Sequence, residues 1–301
     1  MISATKRIGK DIRSFREGDY EKQGIYCHFN DDNIYNVKAM IIGPEGCPYH
    51  NGYYLFDLTF PKDYPLNPPK VKFHTLQRGW RANPNLYECG KVCMSLINTW
   101  PGVKKDEQWT SCQNLITVLI SIQSMVLGVE HPVQNEPGWE TETGKKSIDY
   151  NRITMYNNLD VAVLKMIINT PPTYECFKDI MIDKFMENRY QFDKYIESIK
   201  KYDKCILKSR MYGMSCKFNI DDLKSKMTYV YNNYIDQYNK RVETILKKVN
   251  ESLEQSQKES QLSQGASQLS QGASQLSQGA SQLSQGASQL SQGASQLSQG
   301  A

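Results

Sequence analysis

A chain of 301 residues with 39% hydrophobic content can bury one large domain or two modest ones. Its formal charge of +4 excludes a chain-wide nucleic-acid footprint, so partners must be sought in local features. Residues 1–15 lack the apolar core of a secretory signal, and no stretch is apolar over the length that crosses a bilayer, so the expected compartment is cytoplasmic or nuclear. In a reducing compartment, the scattered Cys27, Cys47, Cys89, Cys93, Cys112, Cys176, Cys205 and Cys216 form no disulfide framework. The absence of a Cys-x-x-Cys pair argues against zinc, and no metal is expected.

Ile8, Ile12 and Phe15 recur at helical spacing and predict a first helix, with Lys6, Lys10 and Arg13 on its opposite face. Strands are expected at Ile25–Phe29, Tyr35–Ile42, Tyr53–Phe60 and Val71–His74, separated by turn-rich segments such as Gly43-Pro44-Glu45-Gly46. The simplest topology is a four-stranded antiparallel meander. After Trp109, Thr110 or Ser111 can cap a helix whose Leu115, Val118, Leu119, Ile122 and Met125 form an apolar stripe that backs the sheet.

Beyond residue 150 the pattern turns helical, with segments predicted over Asn158–Ile168, Tyr174–Tyr202 and Asp221 to about Leu253. From Ser260 to Ala301 the heptapeptide SQLSQGA recurs six times with no charge and no aromatic group, a composition that cannot bury a core and predicts disorder. The expected organisation is a mixed α+β domain over 1–150, a helical extension over 151–257 and a repeat tail over 258–301.

Between the last strand and the capped helix runs Asn83-Pro84-Asn85-Leu86-Tyr87-Glu88-Cys89-Gly90-Lys91-Val92-Cys93, too long and polar for a mere connection. On composition alone, Cys93 reads as an inert core thiol or a nucleophile set near amide donors. The segment resembles the active-site stretch of ubiquitin-conjugating enzymes, in which His-Pro-Asn precedes an acceptor cysteine by a fixed step. Here Asn85 lies eight residues before Cys93. Gly43-Pro44 through Pro48-Tyr49 and Gly52, and Tyr64-Pro65-Leu66-Asn67-Pro68-Pro69, resemble further family motifs in the family's order. Asn-Pro-Asn in place of His-Pro-Asn, Gly90-Lys91-Val92-Cys93, Thr99-Trp100-Pro101-Gly102 and Asn135-Glu136-Pro137-Gly138 are similar to the Z-type members and to the conjugating domain of the giant inhibitor-of-apoptosis protein.

The resemblance implies the ubiquitin-conjugating fold and a carrier that holds ubiquitin, or a ubiquitin-like modifier, as a thioester on Cys93. The modifier comes from an activating enzyme and leaves to a substrate lysine or a ligase cysteine. No bound cofactor is implied, because ATP is used by the upstream activating enzyme. Asn85 would stabilise the oxyanion or support the loop. Asn135 and Glu136 stand where many members carry an acidic or hydroxyl helper, and would orient or deprotonate the amine or cap a turn. Lys6, Lys10 and Arg13 would dock the activating enzyme; Leu66 with Thr110, Ser111 and Cys112 would face a ligase. Asn83, in place of the usual His, would alter loop packing, and Trp100 would pack over the active-site segment.

Overall fold

The computed structural model describes residues 3–101 and 107–297. Gly102 and residues 298–301, which carry the end of one motif and of the repeats, lie outside them. Helix α1 (Ala4–Glu17) begins where the Ser3 side chain accepts from the Lys6 amide, and it buries Ala4, Ile8, Asp11, Ile12 and Phe15. Four strands follow, β1 (Ile25–Phe29), β2 (Asn36–Ile42), β3 (Tyr53–Thr59) and β4 (Lys70–Phe73), in an antiparallel sheet of order β1-β2-β3-β4. The expected meander is present with strand ends within one residue of the sequence reading.

Side chains alternate across the strands, and both faces are covered. Val37, Ala39, Ile41, Tyr54, Phe56 and Leu58 join a core with α1 and with α2 (Leu115–Ser121), which continues as a π-helical segment Ile122–Leu127. Tyr26, Met40, Tyr53 and Leu55 join a second core built from the extension. Tyr53, Tyr54, Leu55 and Phe56 are all fully buried, the continuous apolar run typical of a strand covered on both faces. Helix α2 is capped by Asn114, whose Oδ1 accepts from the Thr117 amide at 2.9 Å, rather than by Thr110 or Ser111. Those two lie in an exposed loop four and three residues too early to reach the free amides of the first turn.

The first helix of the extension starts earlier than its apolar pattern shows. Helix α3 (Lys145–Asn157) passes through a π-helical segment Asn158–Lys165 into α4 (Met166–Ile168), so residue 150 falls inside it. The first half escapes notice because its buried face includes Ser147, Thr154 and Asn157. Helix α5 (Lys178–Ile199) follows, then a two-stranded hairpin, β5 (Ile206–Lys208) with β6 (Ser215–Lys217), unforeseen from the sequence.

Helix α6 spans Ile220–Leu297. One compact unit ends at Tyr238; within it, Leu223, Met227 and Val230 of α6 are buried. The second unit begins at Asn239, and there Ile245, Val249 and Leu253, within the segment predicted to be helical to about Leu253, are exposed. Where composition predicts disorder, the structure continues the helix through the repeats. Within it Ser274 Oγ bonds back to the Ser270 carbonyl at 3.0 Å, while Leu269 and Leu276 are 78% exposed. Among the described residues no helix is long and apolar enough to cross a membrane.

Candidate active site

The eight-residue step between Asn85 and Cys93 is the register of a hairpin. Tyr87 N donates to Lys91 O, Leu86 bridges Val92, and Cys93 N donates to Asn85 O, each N–O distance being 2.9 Å. Gly90 closes the turn with φ +88°, a conformation that favours glycine, and a Cβ there would lie 2.7 Å from the Phe73 carbonyl oxygen. That close approach also joins the hairpin to β4 through Phe73 N to Gly90 O at 2.8 Å.

Asn83 is fully buried and anchors the base of this hairpin. Its Nδ2 donates to Tyr49 Oη at 3.0 Å and to the Val126 carbonyl at 2.9 Å, and its Oδ1 accepts from the Asn85 amide at 2.8 Å. Burial pushes the Tyr49 phenol well up, outweighing the Asn83 bond, so it stays protonated and donates to the Ala82 carbonyl at 2.7 Å.

Cys93 itself is 5% exposed, less open than a free surface thiol, and its Sγ lies 3.5 Å from the Thr99 carbonyl. It is reached through a cleft of about 760 Å³ that Asn85, Tyr87, Trp100, Met125, Asn135 and Glu136 also line. No histidine among the described residues lines this cleft. The Asn85 side-chain amide donates to the Cys93 carbonyl at 2.5 Å, and an amide nitrogen carries two protons, so one remains for another acceptor. Asn135 is committed to structure, donating to the Met125 carbonyl at 2.9 Å and to Asn83 Oδ1 at 3.4 Å. Glu136 instead accepts from the Tyr212 hydroxyl, on the turn between β5 and β6. Sequence reasoning missed Tyr212, since nothing in the local pattern ties so distant a residue to the cleft.

The residues expected to dock partners lie on two other surfaces. Lys6, Lys10 and Arg13 are exposed on α1. Leu66 is 64% exposed, and Trp109 Nε1 donates to Pro65 O at 2.8 Å, which sets its loop beside the exposed Thr110, Ser111 and Cys112. Arg7 of α1 ties the helix to the same loop, donating to the Ser111 carbonyl at 2.9 Å and the Gln113 carbonyl at 2.6 Å. Trp100 is 43% exposed on the cleft wall.

Residues 7–158 match the family model described as ubiquitin-conjugating enzyme. Among curated proteins, the chain is 48% identical over 121 residues to the putative ubiquitin-conjugating enzyme E2 39 of Arabidopsis thaliana, covering 40% of this chain and 37% of that protein. It is 36% identical over 183 residues to ubiquitin-conjugating enzyme E2 Z of Xenopus tropicalis, covering 60% and 56%. It is 35% identical over 189 residues to the dual E2 ubiquitin-conjugating enzyme/E3 ubiquitin-protein ligase BIRC6 of Homo sapiens, covering 59% and 4%. The chain thus spans about half or less of the length of these relatives.

Proposed function

This chain belongs to the ubiquitin-conjugating enzyme family, and we propose that it accepts ubiquitin or a ubiquitin-like modifier on Cys93 and passes it to a substrate lysine or a ligase cysteine. The observation that carries the reading is the pairing of Asn85 with Cys93 across the hairpin, at the edge of a cleft wide enough for an extended acyl terminus.

In the loading step the Cys93 thiolate attacks the carbonyl carbon of the activating enzyme's thioester. A new C–S bond forms, the old one breaks, and the activating enzyme's sulfur leaves as thiolate and takes up a proton. The exchange is between similar thioesters and needs no strong base. In the unloading step a neutral amine attacks the Cys93 thioester, a C–N bond forms, the C–S bond breaks, and the nitrogen gives up a proton that ends on the departing Cys93 sulfur, leaving the amide and the free thiol. The second proton of the Asn85 amide is placed to donate to the oxyanion formed on the way, an interaction worth about 3 kcal/mol in comparable sites. A lysine ammonium, with a pKa near 10.4, must first lose a proton, and of the two carboxylates that line the cleft, Glu107 and Glu136, the one next to Asn135, Glu136, is the acceptor in this reading. The exposed face of α1 serves the activating enzyme, and Leu66 with Thr110, Ser111 and Cys112 serves a ligase.

Charging with activating enzyme, ATP and a panel of modifiers tests this. A reductant-sensitive adduct absent from Cys93→Ala is expected; no adduct with any modifier would leave a silent modifier-binding scaffold as the better account. Asn85→Ala should still charge but discharge to free lysine about a hundredfold more slowly. Unchanged discharge would reduce Asn85 to its loop bond.

A further inference from the structure

We propose that Tyr212, contributed by the extension, is a positioning residue for lysine discharge, holding the Glu136 carboxylate in place on the Cys93 cleft. The proposal rests on Glu136 being the proton acceptor.

Three contacts converge on Tyr212. Its hydroxyl donates to Glu136 Oε2, leaving Oε1 for an incoming ammonium. Burial and then the Glu136 bond raise the Tyr212 pKa, so the phenol remains a donor throughout the neutral range. Its ring stacks on the Arg81 guanidinium, whose central carbon lies 4.0 Å from the ring centroid. The same guanidinium lies 3.9 Å from the ring centroid of Tyr87, in the active-site hairpin, and its Nη2 donates to the Pro84 carbonyl at 2.5 Å. Tyr87 and Glu136 both line the cleft. The stack Tyr87, Arg81, Tyr212 therefore joins the hairpin that carries Cys93 to the carboxylate across from it, with the joining side chain supplied by the extension.

The backbone shows that this placement is held by its surroundings. Tyr212 has φ +57°, an uncommon region for a bulky residue. Its turn is tied to Arg81, whose amide donates to Met214 Sδ at 3.3 Å, and Arg81 is itself held by the hydroxyl of Tyr150, in α3, which donates to the Arg81 carbonyl at 2.7 Å. Arg81 is thus held by the β5–β6 turn and by α3 before its side chain reaches the hairpin.

The test compares the full chain with Tyr212→Phe and Glu136→Gln, each charged on Cys93 and chased with free lysine, hydroxylamine or a small thiol. Hydroxylamine is largely unprotonated at neutral pH and needs no base, and a thiol probes transfer to sulfur. Tyr212→Phe keeps the ring and its stacking. It should slow lysine discharge about tenfold, the scale of one hydrogen bond to a charged group, while hydroxylamine and thiol discharge stay within about twofold. Glu136→Gln should slow lysine discharge about a hundredfold or more. Lysine discharge of Tyr212→Phe at the unmodified rate, with Glu136→Gln slow, would overturn the role of Tyr212 and leave Glu136 in place. A normal rate for Glu136→Gln would overturn the acceptor reading and this proposal with it. Equal slowing of all three nucleophiles by Tyr212→Phe would mean that the residue only supports the fold, which also overturns it.

Discussion

The two faces of the sheet are buried by different stretches of the same chain. Helices α1 and α2 cover one face, with Ile8, Ile12, Leu115 and Leu119 packed on Val37, Ala39 and Phe56. The other face is covered by residues beyond α3, where Leu164, Met181 and Phe185 pack with Met40, Tyr53 and Leu55. The second cover is as tight as the first: Met181, Ile182 and Phe185 are fully buried, and the Tyr53 hydroxyl donates to the Met181 carbonyl at 2.9 Å. The comparison teaches that the extension is half of the structure that holds the sheet, and through Tyr212 it also reaches the cleft.

The largest break in that comparison is to end the chain at Ile168. This removes α5, the hairpin and α6, uncovering apolar side chains on the sheet's outer face. The shortened chain should lose cooperative unfolding and bind hydrophobic dye; an unfolding midpoint equal to the full chain's would show that the outer core contributes nothing. A finer cut is Phe185→Ala beside Phe56→Ala, one in each core and both fully buried. Each should cost about 3–5 kcal/mol in urea unfolding. A full cost for Phe56→Ala with less than about 1 kcal/mol for Phe185→Ala would separate the two cores into independent folding units.

A smaller effect concerns a polar cluster on the outer face. Asp57 Oδ1 lies 2.6 Å from Lys38 Nζ and 2.7 Å from the Tyr174 hydroxyl, and Asp57 Oδ2 lies 2.9 Å from His74 Nε2. Burial opposes ionisation of Asp57, but the bonds from Lys38 and Tyr174 and the nearby positive charge outweigh it and hold its pKa below the ordinary 3.8. Its contribution is therefore present above pH 3.8 and is lost as pH falls through the lower folded value. His74 is held below its ordinary 6.5 by burial, which outweighs the pull of Asp57, so the unfolded chain binds its proton first and stability declines as pH falls from 6.5. Thermal midpoints from pH 7 downward should fall in two stages. Asp57→Asn should remove the more acidic stage, and a two-stage decline that survives in this variant would assign it to other groups.

How much of this was legible in the sequence follows from what each element buries. The meander was readable because its strands are apolar and turn residues bracket them. The eight-residue step from Asn85 to Cys93 was readable, and the hairpin register explains why that spacing is fixed. The first half of α3 was not, because Asn157 satisfies its own buried amide on the Ile153 carbonyl at 2.8 Å and Ser147 lies 3.1 Å from His131 Nδ1, so polar residues occupy an inner face. Strands β5 and β6 have three residues each, too few for alternation to show. The cap of α2 was misplaced because Thr110, Ser111 and Asn114 are all good capping types, and only the helix start selects among them.

The smallest expected effect lies in the repeats. Stability of a helix in water comes mainly from an apolar face packed on something else, since nucleation is costly and propensity contributes little per residue. Each SQLSQGA unit supplies one leucine and a glycine, and glycine costs roughly 1 kcal/mol relative to alanine in a helix interior. Leu269 and Leu276, both 78% exposed, bury almost nothing to offset that cost. Removing residues 258–301 should therefore leave the unfolding midpoint of the rest unchanged within about 1 °C, because substitutions and deletions away from packed features shift stability little. The charging rate of Cys93 should also stay the same. Circular dichroism of the full and shortened chains makes the sharper measurement. Equal loss of helix signal and residue count with no change in midpoint would show a helix held only by its own bonds, whereas a lower midpoint would mean that the repeats bury a surface.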